Sequence, residues 1–577
     1  VSLNAVSHQL VAQENQRQPV DLVNQQPANR AYQGGKYLEA IALWEQLLEK
    51  GQGDLTVVHS NLAVAYYQVG QLGAAIRHWE ESIRVYRENK DEQSRQLLAK
   101  SLADQAQADN ALGRFQLAIK SATEALQLAR KFPLPEVEAA ALSFLGDSYS
   151  LAGEFEKAIE AYSESLRLAT NLQSSAQVTR ALTNLSRAYH KWSEFHVRQA
   201  QMAQQEKEMT EAQRLRELSF QEREEALNFA QQAVEAGQSL GGLLAVESLI
   251  SLQQLDAQRD YSQEALSLLK AEPDSRSKAY ALINLAQWQQ GEKKVRTLLW
   301  ATDVAQNLGA LQTQSFALGE LGEYYEQTGD YSQALQLTQQ AQLAAQQVQA
   351  LESLYQWQAQ AGRIYQTQGN VEKTLLNYRG AVNTLEQIRR STAAANRESQ
   401  LDWHEEVEPI YRQLIGLLLE QGTPEAIEES LSVKELLQLA ELEDFFQDEC
   451  TQGTKTGSDK ELLAQTQTAL VHFFIAPQKT YLILQLPDEA TRVHQVAVEA
   501  ERLQQTVEQW RFELEDTGTE RYLPLSGQLY DWLIRPLESD LRTAKVHQLV
   551  FIADGVLRNV PMAALHDGRQ FLVENYP

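Results

Sequence analysis

The side chains that could carry out chemistry are few in this sequence, and their spacing does not group them. Its single cysteine, Cys450, lies in the polar stretch QDECTQGTKTG and has no second cysteine for a CxxC metal or redox motif. The stretch HEEVE at 404–408 places only one histidine on its face, and the other histidines are scattered. GTKTGSDK at 453–460 lacks the spacing of a phosphate-binding loop. We therefore predict no catalytic residue, no metal site and no cofactor.

The composition points to a large acidic protein with several folded parts. Its 577 residues exceed the size of one ordinary hydrophobic core, so several domains or a repeat array are expected. The formal net charge of −26 repels phosphate backbones, and nucleic acid is therefore not expected as a partner. No apolar run approaches the roughly 18–20 residues of a membrane span.

The sequence leaves the compartment unknown. It contains no apolar core of a signal peptide. The chain begins with Val1 rather than with methionine, however, so a leader that preceded Val1 and was removed is an open alternative. We expect a cytoplasmic protein by default and an extracytoplasmic one if such a leader existed.

A short pattern recurs through the first two thirds of the chain. It has a glycine, an aromatic or aliphatic residue two positions later, and an alanine three positions after that. The copies are GKYLEA from Gly35, GQLGAA from Gly70, GRFQLA from Gly113, GEFEKA from Gly153 and GDYSQA from Gly329, with a weaker copy, GNVEKT, from Gly369. Seven residues before most of these glycines comes a small residue. The pattern predicts a helical hairpin, because the small residue lets two helices approach and the glycine supplies the positive φ that ends the first helix.

This pattern resembles the tetratricopeptide repeat. The resemblance implies a superhelix of stacked hairpins whose first helices line a concave groove, and it implies a peptide or protein partner in that groove. The groove positions expected to contact a peptide are held here by Asn61, Asn184, Asn284, Tyr67, Glu323 and Arg363. A primary amide can donate and accept hydrogen bonds at once, which suits a peptide backbone. The alternative for the asparagines is packing in the seam between repeats.

The repeat rhythm divides the chain into five segments. We predict an N-terminal lead at 1–30, a tetratricopeptide-like array at 31–388, a helical connector at 389–446, a linker at 447–460 and an α/β domain at 461–577.

One repeat of the array is interrupted by an insertion at about 196–223. The insertion contains no glycine or proline and is rich in charged and amide side chains. It predicts either an extension of the hairpin or one long projecting helix, and either a solvated helix pair or a contact arm.

The pattern changes after the linker to β-rich runs. ALVHFFIA (469–476) and KTYLILQLP (479–487) predict a hairpin, and RVHQVAV (492–498) predicts a third strand. Two amphipathic helices then precede the apolar strand HQLVFIAD (547–554), which ends at an Asp-Gly turn. FLVE (571–574) is expected to form a further strand. Strands followed by helices indicate an α/β sheet.

The last residues are similar to the opening of a CHAT domain, the caspase-like domain found behind tetratricopeptide repeats, especially in cyanobacteria. The resemblance rests on LxRPL at 533–537 and on a signature after the apolar strand. The signature residues are Asp554, Gly555, Arg558, Pro561, Leu565, Asp567 and Gly568, which we interpret as structural. The fold class expected for the chain is mainly α: a tetratricopeptide-like helical-hairpin superhelix followed by a partial α/β (caspase-like) domain.

Active members of that family are cysteine peptidases with a histidine–cysteine dyad. The resemblance places the histidine in a His-Ala-Thr-His-Gly-like motif and the cysteine in a Ser-Ala-Cys-like motif, and the sequence contains neither. Cys450 precedes His472, His494, His547 and His566, whereas the family places the histidine first. The domain is therefore interpreted as truncated before the dyad, and the chain as given is expected to be proteolytically inert.

Three functions follow from these features. The first is a protein-interaction scaffold whose repeats bind a peptide or protein partner and are coupled to the caspase-like domain. The second is a fragment of an active caspase-like cysteine peptidase that its repeats regulate. The third is a pure adaptor in which the α/β part serves as a cap or a dimerisation element. The sequence favours the first and leaves the partner and the oligomeric state open.

Overall fold

The computed structural model describes residues 22–205, 208–256, 258–393, 407–446, 466–487, 491–515 and 518–576. The chain divides into two compact units, Val1–Asp402 and Trp403–Pro577. The described part of the first unit consists of paired helices, and the second contains a four-stranded sheet with helices. The predicted fold class, mainly helical with a small α/β part near the C-terminus, is confirmed.

Some predictions concern residues outside this description. They are the linker 447–460 with Cys450, the first 21 residues of the lead, and His404.

The first unit is built from helical hairpins that follow one another along the chain. The helices are α1 Leu22–Gln33, α2 Tyr37–Lys50, α3 Leu55–Gln68, α4 Leu72–Glu88, α5 Glu92–Ala111, α6 Phe115–Lys131, α7 Pro135–Leu151, α8 Phe155–Asn171, α9 Ser175–Gln205, α10 Met209–Gln238, α11 Gly242–Leu255, α12 Ser262–Ala271, α13 Arg276–Ala286, α14 Gly291–Asn307, α15 Leu311–Gln327, α16 Tyr331–Gln347, α17 Leu351–Thr367 and α18 Val371–Ala393. Odd-numbered helices are the first of each hairpin. The first hairpin, α1 and α2, begins inside the segment predicted as a lead.

Two constraints in each hairpin decide how its helices meet. Gly153, between α7 and α8, has a φ of 74°, and a Cβ there would touch nothing, so the glycine serves the backbone turn alone. A Cβ at Gly146 would lie 2.4 Å from Tyr162 Cε1, so the small residue serves the close packing of the two helices. Ala158, which begins the crossing on α8, is fully buried. These are the roles that the repeat pattern predicts.

The insertion extends one hairpin, which is the first of the two predicted alternatives. Its helices α9 and α10 contain 31 and 30 residues, whereas most helices of the array contain 17 or fewer. They stay in contact through buried polar pairs as well as through alanines. The Ser193 and Ser219 hydroxyls lie 3.0 Å apart, and His196 Nδ1 lies 2.8 Å from Glu222 Oε2.

The array also closes on itself. The guanidinium of Arg276, at the start of α13, is 3% exposed and lies over the Tyr67 ring of α3, 5.4 Å from its centroid. Its Nη1 donates to the Tyr67 carbonyl at 3.1 Å and its Nη2 donates to Gln312 Oε1 at 3.0 Å. Nearby, a Cβ at Gly309 would lie 2.5 Å from Leu38 Cδ1. The inner side of the superhelix is therefore enclosed by contacts between residues far apart in sequence.

Two histidines face each other between α3 and α4. His59 Nδ1 and His78 Nδ1 lie 2.9 Å apart, and the His78 ring stacks on Tyr66 with centroids 5.4 Å apart. One ring must donate and the other accept, so this contact excludes a second proton. Burial lowers the pKa of His59, and burial together with the charge of His59 lowers the pKa of His78 to about 4.

We expect the first unit to lose stability as the pH falls from 6.5 to about 4. In this window an unfolded histidine binds a proton and the folded His78 does not, so acid favours the unfolded state. His78→Gln should reduce the pH dependence of the free energy of unfolding by about 1 kcal/mol, a figure that allows for solvent screening. Denaturant titrations at about pH 7 and about pH 4.5 measure the difference. The exposed His547→Gln is the control, and an equal pH dependence in His78→Gln and the parent would contradict the prediction.

The second unit has a mixed sheet of four strands. Its elements are β1 Thr468–Ile475, β2 Thr480–Gln485, β3 Thr491–Val496 and β4 Gln548–Ile552, with α19 Glu408–Gln421, α20 Pro424–Phe446, α21 Ala500–Glu515, α22 Tyr522–Leu533, α23 Glu538–Thr543 and α24 Leu572–Asn575. The strand order is β3-β2-β1-β4. Strand β1 pairs antiparallel with β2, Val471 opposite Leu484, and parallel with β4, Val471 opposite Phe551.

Both faces of the central strands are covered by helices. On one face Val471, Phe473 and Leu482 pack into a buried cluster with Trp510 of α21 and Leu533 of α22. Such continuous apolar strands, buried on both sides, are typical of an α/β sheet.

The opposite face carries Phe474, Tyr481 and Ile483, which are also buried. Helices α19 and α20 meet this face, where the Arg412 guanidinium lies 5.8 Å from the centroid of the Phe474 ring. The segment predicted as a connector therefore contributes two helices to the same compact unit as the sheet. The periodicity of the sequence does not indicate that these two helices cover the sheet, because the contact is made between residues far apart in the chain.

The prediction of a strand at FLVE is wrong. Leu572–Asn575 forms α24, a single helical turn. The Leu572 amide donates to the Leu565 carbonyl at 2.7 Å, and Glu574 Oε1 accepts from the Phe571 amide at 2.8 Å. The amides of Phe571 and Leu572 are therefore already bonded locally and are not available to pair with a neighbouring strand.

We expect residues 460–577 alone to aggregate or to remain partly molten, because removing α19 and α20 exposes the face with Phe474, Tyr481 and Ile483. Residues 403–577 should instead elute as a monomer with a cooperative melt, and residues 31–388 should fold independently. Size-exclusion chromatography and calorimetry of the three fragments test this. A sharp melt and a monomeric profile for 460–577 would contradict it.

Candidate functional site

Five polar side chains follow one another along one face of α9. They are Gln177, Arg180, Asn184, Arg187 and Lys191, and we call them the α9 stripe. Their spacing of three or four residues places them on one side of the helix over about 21 Å. The helix is continuous there because Ser175–Gln205 contains no glycine or proline. As the first helix of its hairpin, α9 belongs to the inner layer of the array.

Two carboxyl groups from the neighbouring hairpins face the stripe. Asp147 lies on α7 and Glu247 on α11, and the charges of Arg180 and Arg187 act on both carboxyls. Burial raises the pKa of Asp147 to about 6, although a hydrogen bond from the Tyr162 hydroxyl at 2.6 Å and the nearby cations favour its charged form. Burial likewise raises the pKa of Glu247. Three consecutive first helices thus bring opposite charges into one region.

Burial in the same region disfavours the charged form of the basic side chains. Burial lowers the pKa of Arg180 and of Lys191. Both side chains nevertheless keep partial access to solvent, as do Asp147 and Glu247.

Several polar atoms of the stripe are buried without a hydrogen-bond partner among the described residues. They are Gln177 Oε1, Arg180 Nε, Asn184 Nδ2 and Arg187 Nη1. Asn184 is only 3% exposed. A buried donor or acceptor without a partner costs about 1–3 kcal/mol, so a row of four such atoms is unusual for a surface that serves packing alone.

One of the six residues predicted to contact a peptide, Asn184, lies in the stripe. Asn61 lies on α3, 8% exposed, and Asn284 lies on α13, half-buried. Tyr67 is 4% exposed and takes part in the closure with Arg276. The contact of these four residues with a peptide stays a prediction.

The two remaining predicted residues have partners within the array. Glu323 of α15 accepts a hydrogen bond from Gln327 Nε2 at 3.3 Å. Arg363 of α17 donates from Nε and Nη2 to the carboxylate of Glu326, at 3.0 Å each. Their contact with a peptide stays a prediction, and it would have to compete with these bonds.

The repeat pattern does not by itself identify the four other members of the stripe or the two carboxyls that face it. Helical spacing from Asn184 is the one signal in the sequence that indicates the other stripe residues. Arg180, Arg187 and Lys191 are at helical spacing from Asn184 in a helix without breaks. Asp147 and Glu247 belong to other helices, and nothing in their local sequence pairs them with α9.

The second unit has its own polar cluster, built on the signature residue Asp554. This carboxylate, 3% exposed, accepts from Arg412 Nη1 at 3.1 Å and from Arg412 Nη2 at 2.8 Å, and it also accepts from the Ile475 amide at 2.9 Å. Burial alone would raise the pKa of Asp554, but these hydrogen bonds hold it below its usual value. Asp554 therefore joins the end of β1 and the turn after β4 to helix α19.

A lysine completes this cluster. Lys434 Nζ of α20 donates to the carbonyls of Phe473 in β1, at 2.7 Å, and of Ile552, the last residue of β4, at 3.3 Å. Burial lowers its pKa to about 8. Since both carbonyls accept from the ammonium group, Lys434 holds the strand ends together.

The other signature residues shape the turns that follow β4. Gly555 and Gly568 have φ values of 50° and 100°, and Leu565 is fully buried. The Asp567 carboxylate accepts from the amides of Arg569 and Gln570 at 2.6 and 2.8 Å.

Two further signature residues lie at the surface of the unit. Arg558 pairs with Glu441 of α20, and Pro561 is exposed. The signature residues therefore contact β1, the apolar cluster of the sheet and helices α19 and α20, besides shaping their own turns.

This geometry and the sequence signature concern the same segment. Residues 523–577 match the CHAT domain family. The predicted resemblance of the C-terminal part is thereby confirmed, and Asp554 and the turns after it lie within the matched residues. Among curated proteins, none matches this chain significantly.

The repeat array is similar to solved structures of helical-repeat proteins. A Rap protein complexed with competence and sporulation factor is 13% identical and has a TM-score of 0.37, covering 60% of this chain and 92% of its own. BtubC from P. vanneervenii is 17% identical with a TM-score of 0.28, over 48% of this chain and 92% of its own. A putative kinesin light chain of Podosopora anserina is 19% identical with a TM-score of 0.26, over 40% of this chain and 96% of its own.

In the part of the chain that the structure describes, no helix is both long and apolar enough to cross a membrane. Among those same residues, no group of three or more histidine, cysteine, aspartate or glutamate side chains could hold a metal ion.

We expect Asp554→Ala to destabilise the second unit by about 3 kcal/mol, because the half-buried Arg412 guanidinium and the Ile475 amide both lose the carboxylate that accepts from them. Arg412→Met should cost at least as much, because it leaves the 3% exposed Asp554 carboxylate without its guanidinium partner. The double variant should lose less than the sum of the two single losses. Calorimetry of the full chain, in which the first unit serves as the internal control, measures these changes. Additive losses would show that the pair does not act as a unit.

Proposed function

We propose that this protein is an interaction scaffold whose repeat array binds an extended peptide segment of a protein partner along the α9 stripe. The observation that carries the proposal is the row of buried polar atoms without partners on one face of α9. Backbone groups of an extended peptide supply alternating donors and acceptors, and both kinds are present in the stripe, as Gln177 Oε1 and Asn184 Nδ2.

The closure of the array supports an enclosed site rather than an open groove. A peptide inside a narrow space loses most of its water, and its hydrogen bonds to the stripe then replace those that it made with solvent. Asn184 is central to such a site, since it is the fully buried amide in the middle of the stripe. The side chains of Arg180 and Arg187 flank it on the preceding and following turns.

The CHAT segment gives the scaffold its second part. In the proposal, partner binding by the repeats directs or regulates the activity of a CHAT domain, whose dyad motifs do not occur in this sequence. No chemical step is assigned to the residues of the second unit, because the hydrogen bonds of Asp554 and Lys434 join strands to helices.

We expect peptides selected against the full chain from a random display library to depend on Asn184. Asn184→Ala removes the buried amide and should weaken the selected peptides about tenfold, the equivalent of one well-made hydrogen bond in a dry site. Fluorescence anisotropy with labelled copies of the peptides measures the affinities.

The matched control is Asn228→Ala, which removes an exposed asparagine of α10 from the same hairpin. It should leave the affinities unchanged. Peptides that bind Asn184→Ala as tightly as the parent, with its thermal midpoint preserved, would show that the stripe is not the binding surface.

A further inference from the structure

A cavity of about 370 Å³ opens between two consecutive hairpins, at the turns that join their helices. Asp260 and Gln263 line it from the beginning of α12, and Trp288, Glu292 and Lys293 line it from the turn into α14. Its volume is at the lower end of the range for small-ligand sites, about 300–1,000 Å³. Since these residues belong to turns and to second helices, the cavity is separate from the α9 stripe.

Trp288 stands in an unusual place for an aromatic residue of this array. In the regular hairpins the ring follows the turn glycine by two positions and is buried, with exposed fractions of 2% at Tyr37, 2% at Phe115 and 5% at Phe155. Here the position two after Gly291 is Lys293, and the aromatic residue comes three before the glycine. Trp288 is 45% exposed. Its indole therefore lines the cavity instead of filling the turn.

Two other indoles that are partly open to solvent are each covered by a cation of the protein. The Lys278 ammonium lies 5.1 Å from the centroid of the Trp300 ring, and the Arg502 guanidinium lies 5.3 Å from that of Trp532. Among the described residues, neither a cation nor a second ring lies over Trp288. The face of an indole attracts cations through its quadrupole, so Trp288 offers this interaction to a ligand.

Asp260 supplies a carboxylate to the same cavity. It accepts a hydrogen bond from the Ser262 amide at 2.9 Å. Hydrogen bonding from Ser262 and, to a lesser degree, the charge of Lys293 lower the pKa of Asp260, so the carboxyl is ionised at neutral pH. No described cation forms an ion pair with it. The other lining carboxylate, Glu292, has Arg296 3.6 Å away, so Asp260 is the carboxylate that is left for a ligand.

A guanidinium group fits these two partners better than an ammonium group does. It is planar and weakly hydrated, so it stacks on an aromatic face, and its fork of donors matches a carboxylate at two points. The amide oxygen of Gln263 is a further acceptor for its remaining donors. A protein with a net charge of −26 also concentrates cations near its surface.

We propose that the cavity binds a guanidinium group, which stacks on Trp288 and pairs with the Asp260 carboxylate. An arginine side chain of a partner protein or a free alkylguanidinium can supply this group. The site shares no residue with the α9 stripe, so its failure would leave the proposed function untouched, and the reverse holds as well.

Fluorine NMR of the full chain labelled with fluorotryptophan tests the proposal. The chain has nine tryptophans, and the resonance that is lost in Trp288→Phe identifies Trp288. Four compounds are titrated against the labelled protein. They are N-acetylarginine methylamide, its citrulline counterpart, which has a similar shape without the charge, N-acetyllysine methylamide, and methylguanidinium.

We expect the arginine compound to shift the Trp288 resonance and to leave the other tryptophan resonances in place. It should bind about tenfold more tightly than the citrulline compound and about threefold more tightly than the lysine compound. Equal affinities for the arginine and citrulline compounds, or no shift of the Trp288 resonance up to about 20 mM of the arginine compound, would overturn the proposal.

Three variants that keep Trp288 as the reporter test the role of Asp260. Asp260→Asn retains an acceptor for the Ser262 amide and should weaken the arginine compound about tenfold. Lys293→Gln removes a competing cation and should strengthen it about twofold.

Glu264→Gln is the matched control, because it removes a negative charge from an exposed side chain of α12 outside the cavity. It should leave the affinity unchanged. A loss in Glu264→Gln as large as that in Asp260→Asn would show that only the general negative charge of the protein attracts the compound, and the proposal would fail.

Methylguanidinium separates the two sources of the group. If the arginine compound binds at least about threefold more tightly, its stem and backbone contribute, and an arginine of a partner protein is the ligand. If the two bind equally, the guanidinium alone is recognised, and a free alkylguanidinium is the ligand. Both outcomes support the site, provided that the citrulline compound binds more weakly.

Discussion

The close approach of paired helices is the constraint on which the repeat array depends. Where a small residue stands on the first helix, the second helix comes so near that a ring or a hydroxyl occupies the space of the missing side chain, as Tyr162 does against Gly146. That approach sets the position of each hairpin on the next. The glycine of the following turn has a separate task, which is to hold the positive φ that ends the first helix.

The stacked hairpins lead to a closed interior, and closure changes the chemistry of the inner surface. Arg276 of α13 contacts a backbone carbonyl and an aromatic ring of α3. These contacts hold its guanidinium without a carboxylate partner. Side chains inside are then partly desolvated while they keep contact with solvent. Burial raises the pKa of Asp147 to about 6 and lowers the pKa of Arg180, so burial disfavours the charged form of both side chains. Polar side chains in such a space suit a ligand that is polar as well.

In the second unit, the polar backbone groups at the ends of the strands lie among apolar side chains and need hydrogen-bond partners. Charged side chains from α19 and α20 reach the ends of β1 and β4, where Arg412 meets Asp554 and Lys434 meets two carbonyls. Buried charges of this kind contribute little net stability when complete, but the loss of one partner is costly. They define which helices cover the sheet, because an apolar contact alone would tolerate other registers.

The sequence by itself determined the hairpins, the change from helix to sheet after the linker and the CHAT resemblance, because each depends on residues close together in the chain. Helical spacing even placed Asn184 on the face that carries the stripe. Only the tertiary structure decided that Arg276 closes the array, that Asp147 and Glu247 face α9, and that α19 and α20 cover the sheet. It also turned FLVE into a helical turn through capping by Glu574. The physical reason is that desolvation and long-range pairing depend on what surrounds a side chain, and the surroundings come from residues up to 209 positions away.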